Sequence, residues 1–310
     1  MNFKIFPWIT SLVVVLTILV VLPITACSGV SSQVPDSVAN HGSCDFELPT
    51  KLTFAGEQVP MEYFDVRENL DREILSTMYF HSQTIRYIKN APRYFSIIEP
   101  ILKSHGIPDD LKYLCVAESG FDARAVSPAN AVGLWQIIES AAKENGLEIN
   151  TEIDERYHIE KSTEAACRIL KSNYLKFGSW ALVAASYNGG RAFVDRQMTD
   201  QKVKSYYDLQ FGEETSRYVF RILSFKLVME EPAKFGFHID RKQLYPIIAT
   251  RNLEVKRSVA NWSEFALENG INYKFLKMYN PWLRTTSLKN PTLKTYTLKI
   301  PEEGFRTKTY

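Results

Sequence analysis

Glu118 is the residue in this chain whose surroundings most suit proton transfer. Leu111, Leu114, Cys115 and Glu118 fall at i, i+3, i+4 and i+7, the spacing of one helix face. The carboxylate therefore belongs to an apolar stripe. Burial disfavours its charged form and raises its pKa, which a general acid needs if it is to hold a proton near neutral pH. Gly120 follows almost at once, so the helix is expected to stop there and leave Glu118 at the lip of a cleft. A lone glutamate at a helix end is more often bonded to nearby backbone, so other residues must carry the case.

The nearest second carboxylate is Asp122, four residues on and beyond Gly120, and it reads as structural. The five histidines are scattered and no CxxC or HExxH occurs, which argues against metal catalysis, and no motif calls for a cofactor. A formal charge of +2 with no Lys/Arg run gives a nucleic-acid partner no support.

Four short segments follow in order: Glu118-Ser119, Gly133-Leu134-Trp135-Gln136, Ser186-Tyr187-Asn188-Gly189-Gly190, and Tyr218 within Glu214–Val219. Each is weak alone. Together, at this spacing, they resemble the soluble-type lytic transglycosylases, a family with a lysozyme-like fold shared with goose-type lysozymes. The resemblance covers roughly 106–230, and Pro128–Val132 and Asp154-Glu155-Arg156 also look familial. The overall layout is similar to the D-type membrane-bound members, which add C-terminal LysM modules.

The resemblance implies a role for each matching residue. Glu118 would protonate the glycosidic oxygen between N-acetylmuramic acid and N-acetylglucosamine. It would then accept the proton of the muramic acid 6-hydroxyl, which closes a 1,6-anhydro ring. Tyr218 would hold Glu118 in orientation, and Ser119 would orient the sugar or Glu118. Gln136 and Asn188 would hydrogen-bond the glycan, Gly133, Leu134 and Trp135 would shape the cleft floor, and Tyr187 would support its motif. Trp135 reads equally well as core, Tyr187 and Tyr218 as buried phenols with bonded hydroxyls, and Gly189-Gly190 as a turn. Ser186 departs from the family's usual Ala, a change that could shift Tyr187. With one catalytic carboxylate, the substrate's own N-acetyl group would stabilise the positive sugar.

These residues need helices to place them. Leu70, Ile74, Leu75 and Met78 keep helical spacing, and Asn90-Ala91-Pro92 is expected to divide 61–103 into two helices. Ile107-Pro108-Asp109-Asp110 is good helix-start chemistry. Further helices are expected over 140–145, 160–177, 181–187 and 213–230. After Pro232 the texture changes. Alternating runs over 251–257 and 295–300 flank two short helical patterns at 262–269 and 273–279. This β-α-α-β order, with Asn280-Pro281, resembles a LysM module. Such a module could bind glycan or only pack against the catalytic domain. The fold class is thus mainly α (α+β overall): a lysozyme-like helical domain followed by a small βααβ unit.

At the N-terminus, Lys4, an apolar run from Trp8 to Ile24 and Ile24-Thr25-Ala26-Cys27 describe a secretory signal that resembles a lipobox. The resemblance implies cleavage before Cys27 and lipid on its thiol, which places the body in the cell envelope; Ser28, which carries no inner-membrane retention signal, favours the outer membrane. An uncleaved membrane anchor is the other reading. Beyond Cys27, Cys44, Cys115 and Cys167 are an odd number, which excludes complete pairing. The expected organisation is a signal over 1–27, a flexible tether over 28–57, an N-terminal helical segment over 58–105, a catalytic domain over 106–235 and a LysM-like domain over 245–302. The expected partners are peptidoglycan glycan strands and, through Cys27, a membrane. Two rival readings stay open: a goose-type-like hydrolase, and a non-catalytic wall-binding lipoprotein.

Overall fold

A computed structural model describes residues 46–306. The signal, Cys27, Cys44 and most of the tether lie outside the described residues. The end of that tether is a correction: β1 (Leu52–Phe54) and β2 (Glu57–Val59) form an antiparallel hairpin. Leu52, Phe54 and Val59 are buried in the main core. Ala55 and Gly56 both have positive φ, as a tight two-residue hairpin turn requires. Asp110 accepts the Ala55 N–H at 2.7 Å and the Lys226 ammonium at 2.7 Å. The hairpin was hidden in the sequence because three-residue strands are too short to show a period.

Two long helices follow, α1 (Phe64–Tyr79) and α2 (His81–Ser104). The break falls at Phe80 rather than at 90–92, and α2 runs through both Pro92 and Pro100. Each proline removes one backbone hydrogen bond, yet the helix continues and Ile88, Ile98 and Leu102 form one buried stripe across them. At the true corner, the buried Thr84 hydroxyl donates to the Thr77 carbonyl at 2.6 Å.

A 3-10 turn over Asp109–Leu111 leads into α3 (Lys112–Ser119), which stops at Gly120 in the left-handed conformation. Then come α4 (Glu139–Glu144), α5 (Ile159–Phe177), α6 (Trp180–Gly189), α7 (Arg191–Gln201) and α8 (Glu213–Glu230). The expected helices near 140, 160, 181 and 213 correspond to α4, α5, α6 and α8. α7 was not anticipated. Only Val194 of its residues is buried, so it offers no apolar stripe to detect. α8 is the hub and packs on α1, α3 and α6.

The C-terminal unit pairs β3 (Thr250–Val255) antiparallel with β4 (Tyr296–Pro301), with α9 (Trp262–Glu268) and α10 (Tyr273–Tyr279) between them in sequence. The register runs from Thr250 opposite Pro301 to Val255 opposite Tyr296. Asn280 is wholly buried and fully used. Its amide donates to Leu276 O (2.9 Å) and Lys299 O (2.8 Å), and its oxygen accepts Lys299 N–H (2.8 Å). It is a strut between α10 and β4. Among the described residues no helix is long and apolar enough to cross a membrane.

Candidate active site

Glu118 is the penultimate residue of α3 and is partly buried, at an open cleft of about 710 Å³. One wall comes from α1 and α2, the other from α8 and the loop after α3. The Tyr218 hydroxyl, on α8, donates to Glu118 Oε1. Tyr218 is 1% exposed, so this carboxylate is the partner that satisfies its buried hydroxyl. Desolvation pushes the Glu118 carboxyl up to about 7. The Tyr218 bond and the Arg221 charge pull it down, and the Glu214 charge pushes it up. A carboxyl poised there can hold a proton and still give it away near neutral pH. With Oε1 taken by Tyr218, Oε2 is left to carry that proton.

Behind Glu118 the segment Gly133–Gln136 is clamped from two sides. Ser119 Oγ donates to Leu134 O at 2.9 Å and lies 3.1 Å from Cys115 O. Tyr187 Oη, on α6, donates to Trp135 O at 2.8 Å. Ser119 and Tyr187 thus hold the loop by its carbonyls. Gly133 has φ +79°, and a Cβ there would lie 2.2 Å from the Arg156 carbonyl oxygen, so only glycine fits. Gln136 adopts φ +46°, a strained conformation for a side-chain-bearing residue. Its amide nitrogen donates to Gly133 O (2.8 Å) and Ala125 O (3.2 Å), while the residue lines the cleft.

The other expected site residues separate. Leu134 and Trp135 are 1% and 0% exposed, and the indole N–H donates to Thr163 Oγ1 at 2.8 Å. Their side chains are core, and Trp135 is no sugar platform. Asn188 Oδ1 accepts the Thr215 hydroxyl at 2.9 Å, and its residue is partly buried. Ser186 is buried and donates to Val183 O at 2.8 Å, so its extra hydroxyl is absorbed within α6. Cys115 and Cys167 are free thiols. Asp122 lines the cleft, but its Oδ1 accepts the Arg124 N–H at 2.8 Å in the turn after α3.

A charged cluster facing Glu118 was missed. Glu73 of α1 is 2% exposed and meets Arg217 (2.6 Å) and Arg221 (3.7 Å) of α8. Arg221 also grips Glu214 at 2.8 and 3.3 Å. The signal was available: Leu70, Glu73, Ile74 and Thr77 repeat the spacing that exposes Glu118 in the sequence. What separates the two glutamates is the partner, since cations neutralise Glu73 whereas Glu118 has a phenol. Tyr79 and Phe80, at the α1–α2 corner, are largely exposed and line the same cleft.

Residues 95–210 match the Transglycosylase SLT domain, and residues 251–304 match the Soluble lytic transglycosylase C-terminal LysM-like domain. Membrane-bound lytic murein transglycosylase D of Escherichia coli strain K12 is 28% identical over 243 residues, covering 76% of this chain and 52% of that protein, as is its counterpart from Escherichia coli O6:H1. The chain thus spans about half the length of these relatives. The solved structure of an inactive mutant of lytic transglycosylase Slt from Pseudomonas aeruginosa covers 51% of this chain and 28% of that one at 17% identity, and its TM-score of 0.37 is too low to bear on fold or chemistry. By these matches the chain carries a transglycosylase SLT domain followed by a LysM-like domain of the soluble lytic transglycosylase type, and it is homologous to membrane-bound lytic murein transglycosylase D.

Proposed function

We propose that this protein is a peptidoglycan lytic transglycosylase that cleaves the β-1,4 bond between N-acetylmuramic acid and N-acetylglucosamine and leaves a 1,6-anhydromuramic end. The observation that carries this reading is the state of Glu118: a cleft carboxyl pushed up to about 7 and held by Tyr218. As general acid, Glu118 protonates the leaving glycosidic oxygen. The same carboxylate then takes the proton of the muramic acid 6-hydroxyl as that oxygen attacks C1. The proton given equals the proton received, so one carboxyl serves both steps. Gln136 and Asn188 are assigned to hold the sugars. The homology to a membrane-bound murein transglycosylase supports the substrate class and a cell-envelope location. The Ile24–Cys27 sequence supports lipid attachment at Cys27, with the outer membrane as the favoured site.

A goose-type-like hydrolase would need a second carboxylate to activate water. Asp122 is a cleft carboxylate that could supply it: its Oδ1 accepts the Arg124 N–H in the turn after α3, and its other oxygen is left for such a role. Mass analysis of products from isolated peptidoglycan decides between the two. Muropeptides lighter by one water and lacking a reducing end support the transglycosylase. Reducing muramic acid ends identify a hydrolase, and bound but uncut strands identify a wall-binding protein.

A further inference from the structure

The C-terminal module meets the catalytic domain through backbone as well as side chains. Ile153 and Leu283 form an antiparallel bridge, with Asp154 N–H donating to Trp282 O (2.9 Å) and Arg284 N–H to Glu152 O (2.7 Å). The Glu152 carboxylate accepts Lys289 N–H at 3.0 and 3.1 Å. Glu148 accepts the Lys294 ammonium (2.5 Å) and the Tyr296 hydroxyl (3.0 Å). The Arg284 guanidinium lies 4.0 Å over the Tyr157 ring. Val132, Ile153 and Tyr157 of the catalytic domain share one buried cluster with Trp262, Trp282 and Leu298 of the module. A module whose task was only to tether the enzyme to glycan would need no such joint, because inter-domain contacts that permit motion are small and polar.

The segment held by this joint leads straight to the cleft. Asp154 takes Arg156 Nε at 3.0 Å and Nη2 at 2.8 Å, a bidentate pair with side chains only 12% and 9% exposed. Burying such a pair is costly and does little for stability by itself. What it achieves here is to aim the remaining nitrogen. Arg156 Nη1 donates to Asn130 O (3.0 Å) and reaches Ile137 O (3.4 Å), the two ends of the loop that carries Gln136. The Arg156 carbonyl is also the surface against which Gly133 packs.

We propose that the LysM-like module is a structural part of the catalytic cleft: its 282–284 edge, acting through Asp154 and Arg156, fixes the 130–137 loop and so sets the position of Gln136 behind Glu118. Arg156 is a positioning residue. The catalytic consequence rests on the glycan-cleaving reading given above, whereas the mechanical coupling does not.

The test uses the full chain with Asp154→Asn, Arg156→Lys, and the double variant E152A/R284A, whose side chains stand at the joint and reach solvent. Hydrogen exchange compares loop amides of Val132, Gly133, Gln136 and Ile137 with amides of α5. Steady-state rates use a soluble, uncrosslinked glycan oligomer, and binding is measured by sedimentation with sacculi. Loop exchange is expected to rise about tenfold or more with α5 unchanged, and kcat to fall roughly tenfold or more with KM less affected. Sacculus binding is expected to persist. Unchanged loop exchange in both Arg156→Lys and the double variant overturns the proposal, as does loss of sacculus binding with kcat retained. Should Asp154→Asn unfold, Arg156→Lys and the double variant carry the test. If the parent protein cuts no glycan, the functional reading fails, and the exchange comparison still decides the coupling.

Discussion

The Tyr218 hydroxyl donates to Glu118 Oε1 across 100 residues of sequence. The donor comes from the second turn of α8 and the acceptor from the last turn of α3, two helices that pack directly on each other. This bond and the surrounding apolar wall act in opposite directions on the carboxyl. Burial raises its pKa, the phenol lowers it, and the balance stands at about 7.

Glu118→Gln should abolish glycan cleavage while leaving the fold intact. It should also alter the pH dependence of stability. In the fold the carboxyl titrates at about 7 rather than its ordinary 4.5, so the folded state binds the proton more tightly. The stability this confers is fully present below the unfolded value and is lost as pH rises through about 7, by up to about 3 kcal/mol. The glutamine variant does not undergo that loss. Thermal melts should coincide near pH 4 and separate above about pH 8, with the variant melting higher. Equal melting at both ends would contradict a raised pKa.

Tyr218→Phe removes the bond that favours the ionised carboxylate. The alkaline limb of the pH–rate profile should move upward, because Glu118 then holds its proton to higher pH. At neutral pH kcat should drop about 10- to 100-fold from loss of orientation. A rate drop with an unmoved alkaline limb would show that Tyr218 acts only by packing.

Glu214 and Arg221 are bonded to each other, yet their charges pull the Glu118 carboxyl in opposite directions. Glu214→Gln should move the alkaline limb down, and Arg221→Gln should move it up. Shifts of the same sign in both variants would mean that the pair influences Glu118 through packing rather than charge.

Trp135→Phe tests the indole as core. The change opens a cavity and deprives Thr163 of its donor, at a cost of about 1–3 kcal/mol in chemical denaturation. KM for soluble glycan should not change. A raised KM at unchanged stability would restore Trp135 to the cleft.

Gly133→Ala should be severe, because the new Cβ meets the Arg156 carbonyl at 2.2 Å on a backbone with φ +79°. Neither obstacle is a flexible side-chain end, so the loop must move, and a loss of at least about 2 kcal/mol is expected. A melting temperature within error of the parent would refute that packing.

The helices that bury a continuous stripe, including the one that bears Glu118, are legible in the order of residues, as is the β-α-α-β order of the C-terminal unit. These features are local: period, cap and turn chemistry act within a few residues, so α3, α5, α8 and the two strands of the module were legible in one dimension. Tertiary structure decided everything that depended on a distant partner. It carried α2 through Pro92 and Pro100, where a local reading ends the helix, with Ile88, Ile98 and Leu102 buried along one stripe. It recruited the short hairpin at 52–59 into the core, and it gave α7 a place that its own pattern did not announce. It made Trp135 core and turned Ser119 and Tyr187 into clamps on the carbonyls of one loop. It also separated two glutamates with the same helical spacing, Glu73 and Glu118, by setting arginines beside one and a phenol beside the other. Spacing along one helix reports which face is buried; only the packing of the next helix determines what that face meets.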